Sequence, residues 1–303
     1  MGFASINGTV LPVEEARVSV LDNGFAFGDS VYEVLRTYGG RAFAPGRHFR
    51  RLRASAARLG IPVPDSDASL LAQVDALLAR AVDPESYIRI VLSRGLGDCS
   101  YNFDRVQGPT TVMIQKPLPQ HPAWHYESGV KVAAVDVRRN HPRALDPAIK
   151  SSNLLNNILA VREAQSRGAE EPVLLNQEGF LAEGASTNVF LVRGGAVATP
   201  PLSAGILAGI TREVVLELLP TLGIASGEEP LRLPDLLGAD EVFITSTTRE
   251  VVPVARVDDA PVGEGRPGPL TRRVMEAFRA YAPRHCGQAA LTAAASPSAR
   301  TSG

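Results

Sequence analysis

The chain is predicted to be an α+β protein of two domains with mainly antiparallel strands. Three observations carry this prediction. At 303 residues the chain exceeds the about 100–200 residues of a usual single domain. Strand-like and helix-like stretches are mixed, with few of the recurring strand–helix–strand units that build a parallel sheet. A proline-dense connector, Lys116-Pro117-Leu118-Pro119-Gln120-His121-Pro122, interrupts them, and such stretches act as spacers. The expected organisation is a smaller N-terminal domain over residues 1–116, a linker over 117–125, a larger domain over 126–284 and a disordered tail over 285–303.

The elements follow from pattern and punctuation. Residues 5–10 and 16–21 read as strands of a short meander, with turns at Asn7-Gly8 and Asp22-Asn23-Gly24. Residues 32–38 form a further strand, turned at Gly39-Gly40. Residues 47–59 are expected to be helical, stopped by Gly60 with Pro62 beyond. Leu70, Leu71, Val74, Leu77, Leu78 and Ala81 make one apolar face of period 3.6, predicting a helix over 69–82. Residues 87–93 and 110–115 are β-rich. Past the connector, 130–137 reads as a strand and 153–167 as a helix closed by Gly168. Short strands follow at 172–176, 180–183, 188–192 and 196–199, then a helix at 211–219, a buried strand at 241–245 and a last helix at 270–281. The tail is rich in Ala, Ser and Thr without periodicity, a composition that does not support a core.

The totals exclude several classes. A net charge of −1 gives no electrostatic footprint for nucleic acid or an anionic membrane. No apolar run reaches the roughly 18 residues of a membrane span, and the first residues do not read as a secretory signal. Cys99 and Cys286 make neither a disulfide framework nor a zinc spacing, so a reducing cytoplasm is expected. His121 and His125 are four apart, but Pro122 between them argues against a helical metal site, and no metal is expected. No G-x-S-x-G elbow is present.

Lysine is nearly absent. Of 31 Lys+Arg, only Lys116, Lys131 and Lys150 are lysines. Arginine supplies charge but does not lose its proton near neutral pH, so it cannot serve as an amine nucleophile. Lys150 lies where a strand-like segment passes into a helix, in Lys150-Ser151-Ser152-Asn153-Leu154-Leu155. Two pieces suit an anion: Gly209-Ile210-Thr211, where a glycine opens a helix, and Thr245-Ser246-Thr247-Thr248, hydroxyls just past a buried strand. Each also reads as an ordinary cap or solvated turn. Glu183, between a strand and a small-residue turn, is either a surface glutamate or the partner of an interior cation. Tyr87 and Arg89 share one strand face, and an arginine in an apolar strand needs an anionic partner, either substrate or structural.

Together these pieces resemble the class IV (fold type IV) pyridoxal-phosphate aminotransferases. The resemblance runs from about Ile6 to Tyr281 with the motifs in the family's order. The carrying stretches are Gly28-Asp29-Ser30-Val31-Tyr32-Glu33, His48-Phe49-Arg50-Arg51-Leu52, Lys150-Ser151-Ser152-Asn153, Glu183-Gly184-Ala185-Ser186-Thr187-Asn188, Gly209-Ile210-Thr211-Arg212, Thr245-Ser246-Thr247-Thr248-Arg249-Glu250 and Gly263-Glu264-Gly265-Arg266. It implies a smaller N-terminal α/β domain and a larger domain with a mainly antiparallel, barrel-like sheet. It implies pyridoxal 5'-phosphate as cofactor, with Lys150 linked to its aldehyde and then serving as the general acid–base. It also implies Glu183 at the pyridine nitrogen, and Arg51, Ile210, Thr211, Ser246 and Thr247 around the phosphate. Ile210 and Thr211 would act through backbone amides, so the Ile210 side chain is expected to matter little.

On the substrate side the resemblance puts Tyr32, Tyr87 and Arg89. The Tyr87-x-Arg89 pair and the Gly-Glu-Gly-Arg stretch are similar to branched-chain aminotransferases. The expected reaction moves an amino group between an aliphatic, branched-chain L-amino acid and 2-oxoglutarate. Its alternatives are D-amino-acid transamination, aminodeoxychorismate lyase activity and a non-catalytic phospho-ligand binder. The partners implied are the amino-acid and 2-oxo-acid substrates and a second copy of the chain in a homodimer or higher homo-oligomer.

Overall fold

The computed structural model describes residues 2–287. The first sheet has six strands: β1 (Phe3–Ile6), β2 (Thr9–Pro12), β3 (Ser30–Tyr38), β4 (Arg41–Ala42), β5 (Ser86–Ser93) and β6 (Thr110–Pro117), in the spatial order β2-β1-β6-β5-β3-β4. All its pairings are antiparallel. Helices α1 (Asn23–Phe27), α2 (Pro45–Leu59) and α3 (Asp67–Leu78) accompany it. On β3 the alternation buries Val31, Glu33, Leu35 and Thr37 completely. Val31 and Leu35 pack with Phe49 and Leu52 of α2 and with Leu70, Val74 and Leu77 of α3. Each large apolar side chain so buried contributes about 1.5–3 kcal/mol.

The second sheet has β7 (Val130–Ala134), β8 (Glu171–Val173), β9 (Asn188–Arg193), β10 (Ala196–Thr199), β11 (Ser226–Glu228), β12 (Glu241–Ser246) and β13 (Glu250–Val257), in the order β11-β10-β9-β12-β13-β7-β8, with β14 (Ala260–Pro261) paired to β13. It is mixed: the centre is antiparallel, while β10–β11, β13–β7 and β7–β8 are parallel. The helices around it are α4 (Trp124–Glu127), α5 (Leu155–Ser166), α6 (Ile210–Thr221), α7 (Leu233–Leu237) and α8 (Pro269–Tyr281). Both faces of β9 and β12 are buried. Phe190, Val192 and Phe243 face α6 and α8, and Val189, Leu191, Val242 and Ile244 join the opposite cluster. This two-sided burial explains why these strands read as continuous apolar runs.

Four departures from the sequence reading have physical reasons. Residues 16–21 form no strand; they are mostly exposed, and the Leu21 carbonyl accepts from Gly97 N at 3.0 Å without a ladder forming. Residues 180–183 form only isolated bridges, Leu175 with Leu181 and Phe180 with Arg232. The central strand β13 is absent from the sequence reading. It contains Pro253, which opposes Phe243 of β12, and a proline argues against a central strand. It is tolerated because β13 pairs with β7 only from Val254 onward, so the missing N–H falls beyond that ladder. The expected tail also starts too early: Gly287 N donates to Ala42 O at 2.8 Å, and Arg41 Nη2 donates to Cys286 O at 3.0 Å. Residues 288–303 lie outside the described residues.

The two sheets are tied together. Glu250 of β13 accepts from Arg36 Nη1 at 3.0 Å and Tyr38 OH at 2.8 Å, both on β3. Arg47 of α2 makes a double contact with Glu217 of α6, at 2.8 Å each.

Candidate active site

A cleft opens where β3, α2, the Lys150 segment, the 183–188 turn, the start of α6 and the end of β12 converge. Tyr32, Arg51, Lys150, Glu183, Ile210, Thr211, Ser246 and Thr247 all line it. Their convergence follows from chain geometry. Residues 150–152 run along the open half of the β3 edge: Tyr32 N donates to Lys150 O and Ser152 N to Ser30 O, both at 2.9 Å. Ser55 Oγ of α2 accepts from Lys150 N at 3.1 Å. The lysine backbone is therefore pinned on two sides, and its Nζ lies 4.6 Å from the centre of the Tyr32 ring.

Glu183 is buried at one wall. Arg139 Nε donates to its Oε1 at 2.9 Å, while Leu207 N and Asn188 Nδ2 donate to Oε2 at 3.0 and 3.3 Å. Burial pushes this carboxyl above its ordinary range, with Arg139 and the Leu207 amide pulling the other way. Arg139 is itself held by Asn156 and Asn157 of α5. Held by these three donors, the carboxyl lines the cleft, where a cationic partner would favour its ionised form.

Another wall is an anion corner. The α6 N-terminus has Gly209 as its cap, with no side chain covering the first amides, so these donors face outward with the helix dipole behind them. A Cβ on Gly209 would lie 2.0 Å from Asn188 Oδ1; only glycine lets this turn close. Thr211 Oγ1 and Thr245 Oγ1 are buried with no hydrogen-bond partner among the described residues. Orphaned hydroxyls in a native interior call for an acceptor, and a phosphate here supplies one. Arg51 closes the corner, its Nη1 donating to Ala208 O at 2.7 Å. The residues present therefore fit pyridoxal 5'-phosphate: an amine for its aldehyde, an acid for its ring nitrogen and donors for its phosphate.

The Ile210 side chain departs from expectation. It is 3% exposed and packs with Val214, Val215 and Phe243. Truncating a buried isoleucine to alanine costs about 2–5 kcal/mol, so this side chain matters for stability.

Of the three residues expected to meet substrate, Tyr32 lines the cleft, while Arg89 stands behind it and outside the lining. Arg89 Cζ lies 4.0 Å from the Tyr32 ring centre. Among the described residues no side-chain hydrogen bond or ion pair reaches its guanidinium, so it has no structural acid partner. Tyr87 shares that sheet face but does not line the cleft; Lys116 Nζ sits 4.8 Å over its ring.

Three residues escaped the sequence reading of the site. Arg139 lies 44 residues from Glu183, and the demand that a buried acid face a cation did not say which one. Glu33 and His48 sit inside recognised motifs without an assigned role. Glu33 occupies an apolar position in the β3 alternation, and that mismatch was the available signal.

The comparisons agree with this geometry. A family model described as amino-transferase class IV matches residues 30–257. A Methanocaldococcus jannaschii protein, provisionally named a branched-chain-amino-acid aminotransferase, is 38% identical over 90% of this chain and 94% of its own length. A D-alanine aminotransferase of Bacillus licheniformis is 36% identical, with 90% and 94% covered. The Escherichia coli branched-chain amino acid aminotransferase structure superposes with a TM-score of 0.88 at 31% identity, over 94% of this chain and 96% of that one. The Thermobaculum terrenum branched-chain amino acid aminotransferase, solved in its PLP-containing holo-form, gives 0.82 at 28% identity, over 91% and 92%. A phospho-ligand binder without chemistry is therefore set aside, and with it the last reading outside enzymes: the chain belongs to the class IV aminotransferases.

Proposed function

We propose that this chain is a pyridoxal-5'-phosphate-dependent transaminase acting between an aliphatic, branched-chain L-amino acid and 2-oxoglutarate. The observation that carries the cofactor is the one rare lysine amine set between a buried acid and an anion corner. When bound, the cofactor supplies an aldehyde and an electron-accepting ring. Lys150 would hold it through its amine and, once displaced by the incoming amino group, would carry the substrate proton as general base and acid. Glu183, oriented by Arg139, would stand at the ring nitrogen. Arg51, the Ile210 and Thr211 amides, Ser246 and Thr247 take the phosphate.

For the substrate, Leu145, Ile149, Leu154 and Leu207 give the cleft apolar walls, which suit an aliphatic side chain. The unpaired Arg89 guanidinium beside Tyr32 suits a substrate carboxylate, with Tyr87 as a more distant member of that group. D-Amino-acid transamination is the second reading, because the D-alanine aminotransferase relative is nearly as similar as the branched-chain one. Assays of L-leucine and D-alanine with 2-oxoglutarate, and of aminodeoxychorismate for lyase product, separate the readings. Turnover of L-leucine well above the others is expected; turnover of D-alanine without L-leucine overturns the substrate assignment.

We also propose a homodimer or higher homo-oligomer. Leu155, Ile158 and Leu159 of α5 are 67%, 60% and 47% exposed, an apolar face that begins five residues after Lys150. Exposed apolar clusters of this kind mark contact surfaces. Sedimentation should give at least twice the 32.2 kDa chain mass, and a monomer at micromolar concentration rejects this assignment. Division into domains near residues 117–125 and a cytoplasmic location, suggested by the free Cys99 and Cys286, complete the proposal. No helix among the described residues is long and apolar enough to cross a membrane.

A further inference from the structure

Glu33 is the least expected residue in the first core. Its neighbours in the β3 alternation are Val31, Leu35 and Thr37, and like them it is 0% exposed. An isolated carboxylate there is strongly disfavoured. Arg51 of α2 meets it with both edges of its fork, Nε donating to Oε1 at 2.7 Å and Nη2 to Oε2 at 2.8 Å. His48, one turn earlier on α2, places Nδ1 2.7 Å from Glu33 Oε2. Burial alone would raise this carboxyl, but Arg51 and His48 prevail and hold it well below the ordinary carboxylate range.

The geometry also accounts for the Arg51 donors. A guanidinium has five N–H groups in a rigid plane. Two go to Glu33, and one on Nη1 goes to Ala208 O at 2.7 Å. Two remain, one on each terminal nitrogen. We infer that Glu33, itself anchored by His48, is a positioning residue that locks the Arg51 fork so that these two N–H groups are kept for the phosphate. This rests on the reading of Arg51 as part of the phosphate corner. The alternative is a buried ion pair that merely joins β3 to α2 and has no bearing on ligand recognition.

The two roles separate by comparing pyridoxal 5'-phosphate with pyridoxal, which lacks the phosphate but offers the same aldehyde to Lys150. Binding of each to full-length apoprotein is titrated by visible absorbance for wild type, Glu33→Gln, Glu33→Asp and Arg51→Gln. Glu33→Gln should weaken pyridoxal 5'-phosphate by about tenfold or more, the scale of one charge-assisted hydrogen bond, while changing pyridoxal by less than about twofold. Glu33→Asp keeps the charge, so Arg51 is not left buried and unpaired. It should show a smaller loss confined to the phosphorylated ligand, and it carries the test if Glu33→Gln does not fold. Equal losses for both ligands, or no loss for either, overturn the inference. If Arg51→Gln leaves the preference for the phosphorylated ligand intact, the phosphate-corner reading itself fails; if Arg51→Gln abolishes it and the Glu33 variants do not, only the positioning role fails.

Discussion

The two ends of the cleft are built differently. At the cofactor end nearly every charge has its partner within the chain: Glu183 with Arg139, and Arg51 with Glu33 and His48 beneath it. Behind Tyr32, and outside the residues that line the cleft, Arg89 lies over the tyrosine ring with no carboxylate against it among the described residues. A preorganised cluster costs no reorganisation when its ligand binds or its charge develops. An unpaired guanidinium, in contrast, leaves recognition to the incoming molecule. On the proposed function, the first arrangement serves a permanent occupant and the second a passing one.

Substitutions break this comparison in a graded way. Lys150→Ala removes the only amine in the cleft among the described residues. Turnover should fall by about 10⁴-fold or more, the upper range for a lost general acid–base, and borohydride should no longer fix the cofactor covalently to the protein; a covalent adduct trapped on the variant contradicts the assignment. Glu183→Gln should lower kcat by about 10²–10³-fold, as for loss of one preorganised electrostatic group. Cofactor should remain bound, which dialysis and phosphate analysis check.

Arg89→Gln sharpens the comparison most. Losing a charge-assisted contact to substrate should cost kcat/KM about 10–100-fold, with cofactor affinity unchanged within about twofold. An equal loss of cofactor affinity would mean that the two ends are not separable.

The smallest expected effect is on pH dependence. Burial pushes His48 below its ordinary 6.5, with Glu33 opposing. The unfolded chain then binds a proton that the folded chain refuses, so apoprotein stability is level above about pH 6.5 with respect to this group and declines as pH drops from there toward the depressed folded value. Glu183, shifted upward from 4.5, has the opposite slope, so the diagnostic quantity is the difference between wild type and His48→Gln. Thermal melts from pH 8 to 5 should show a shallower acid decline in the variant; identical profiles remove His48 as a contributor.

Much of this was legible along the chain. The 3.6-residue apolar period marked α3, and glycines marked the ends of α2 and α5. The scarcity of lysine left three candidates for an amine that can be deprotonated, and the strand-to-helix setting of Lys150 set it apart from Lys116 and Lys131. The helix-opening glycine and the hydroxyl run flagged both pieces of the anion corner, though nothing in either segment showed that they meet. Strand β13 stayed hidden because Pro253 obeys a ladder that local sequence cannot see.

Residue types and spacings by themselves determined the local conformations, the available amine and the family resemblance, since backbone preference and side-chain chemistry are properties of short stretches. Only the folded chain decided which charges pair. Glu183 found Arg139, Glu33 entered a core position because Arg51 and His48 met it there, and Arg89 was left without an acid among the described residues. Such pairings depend on burial and on distances of a few ångströms between distant segments, and those are set when the sheets and helices pack.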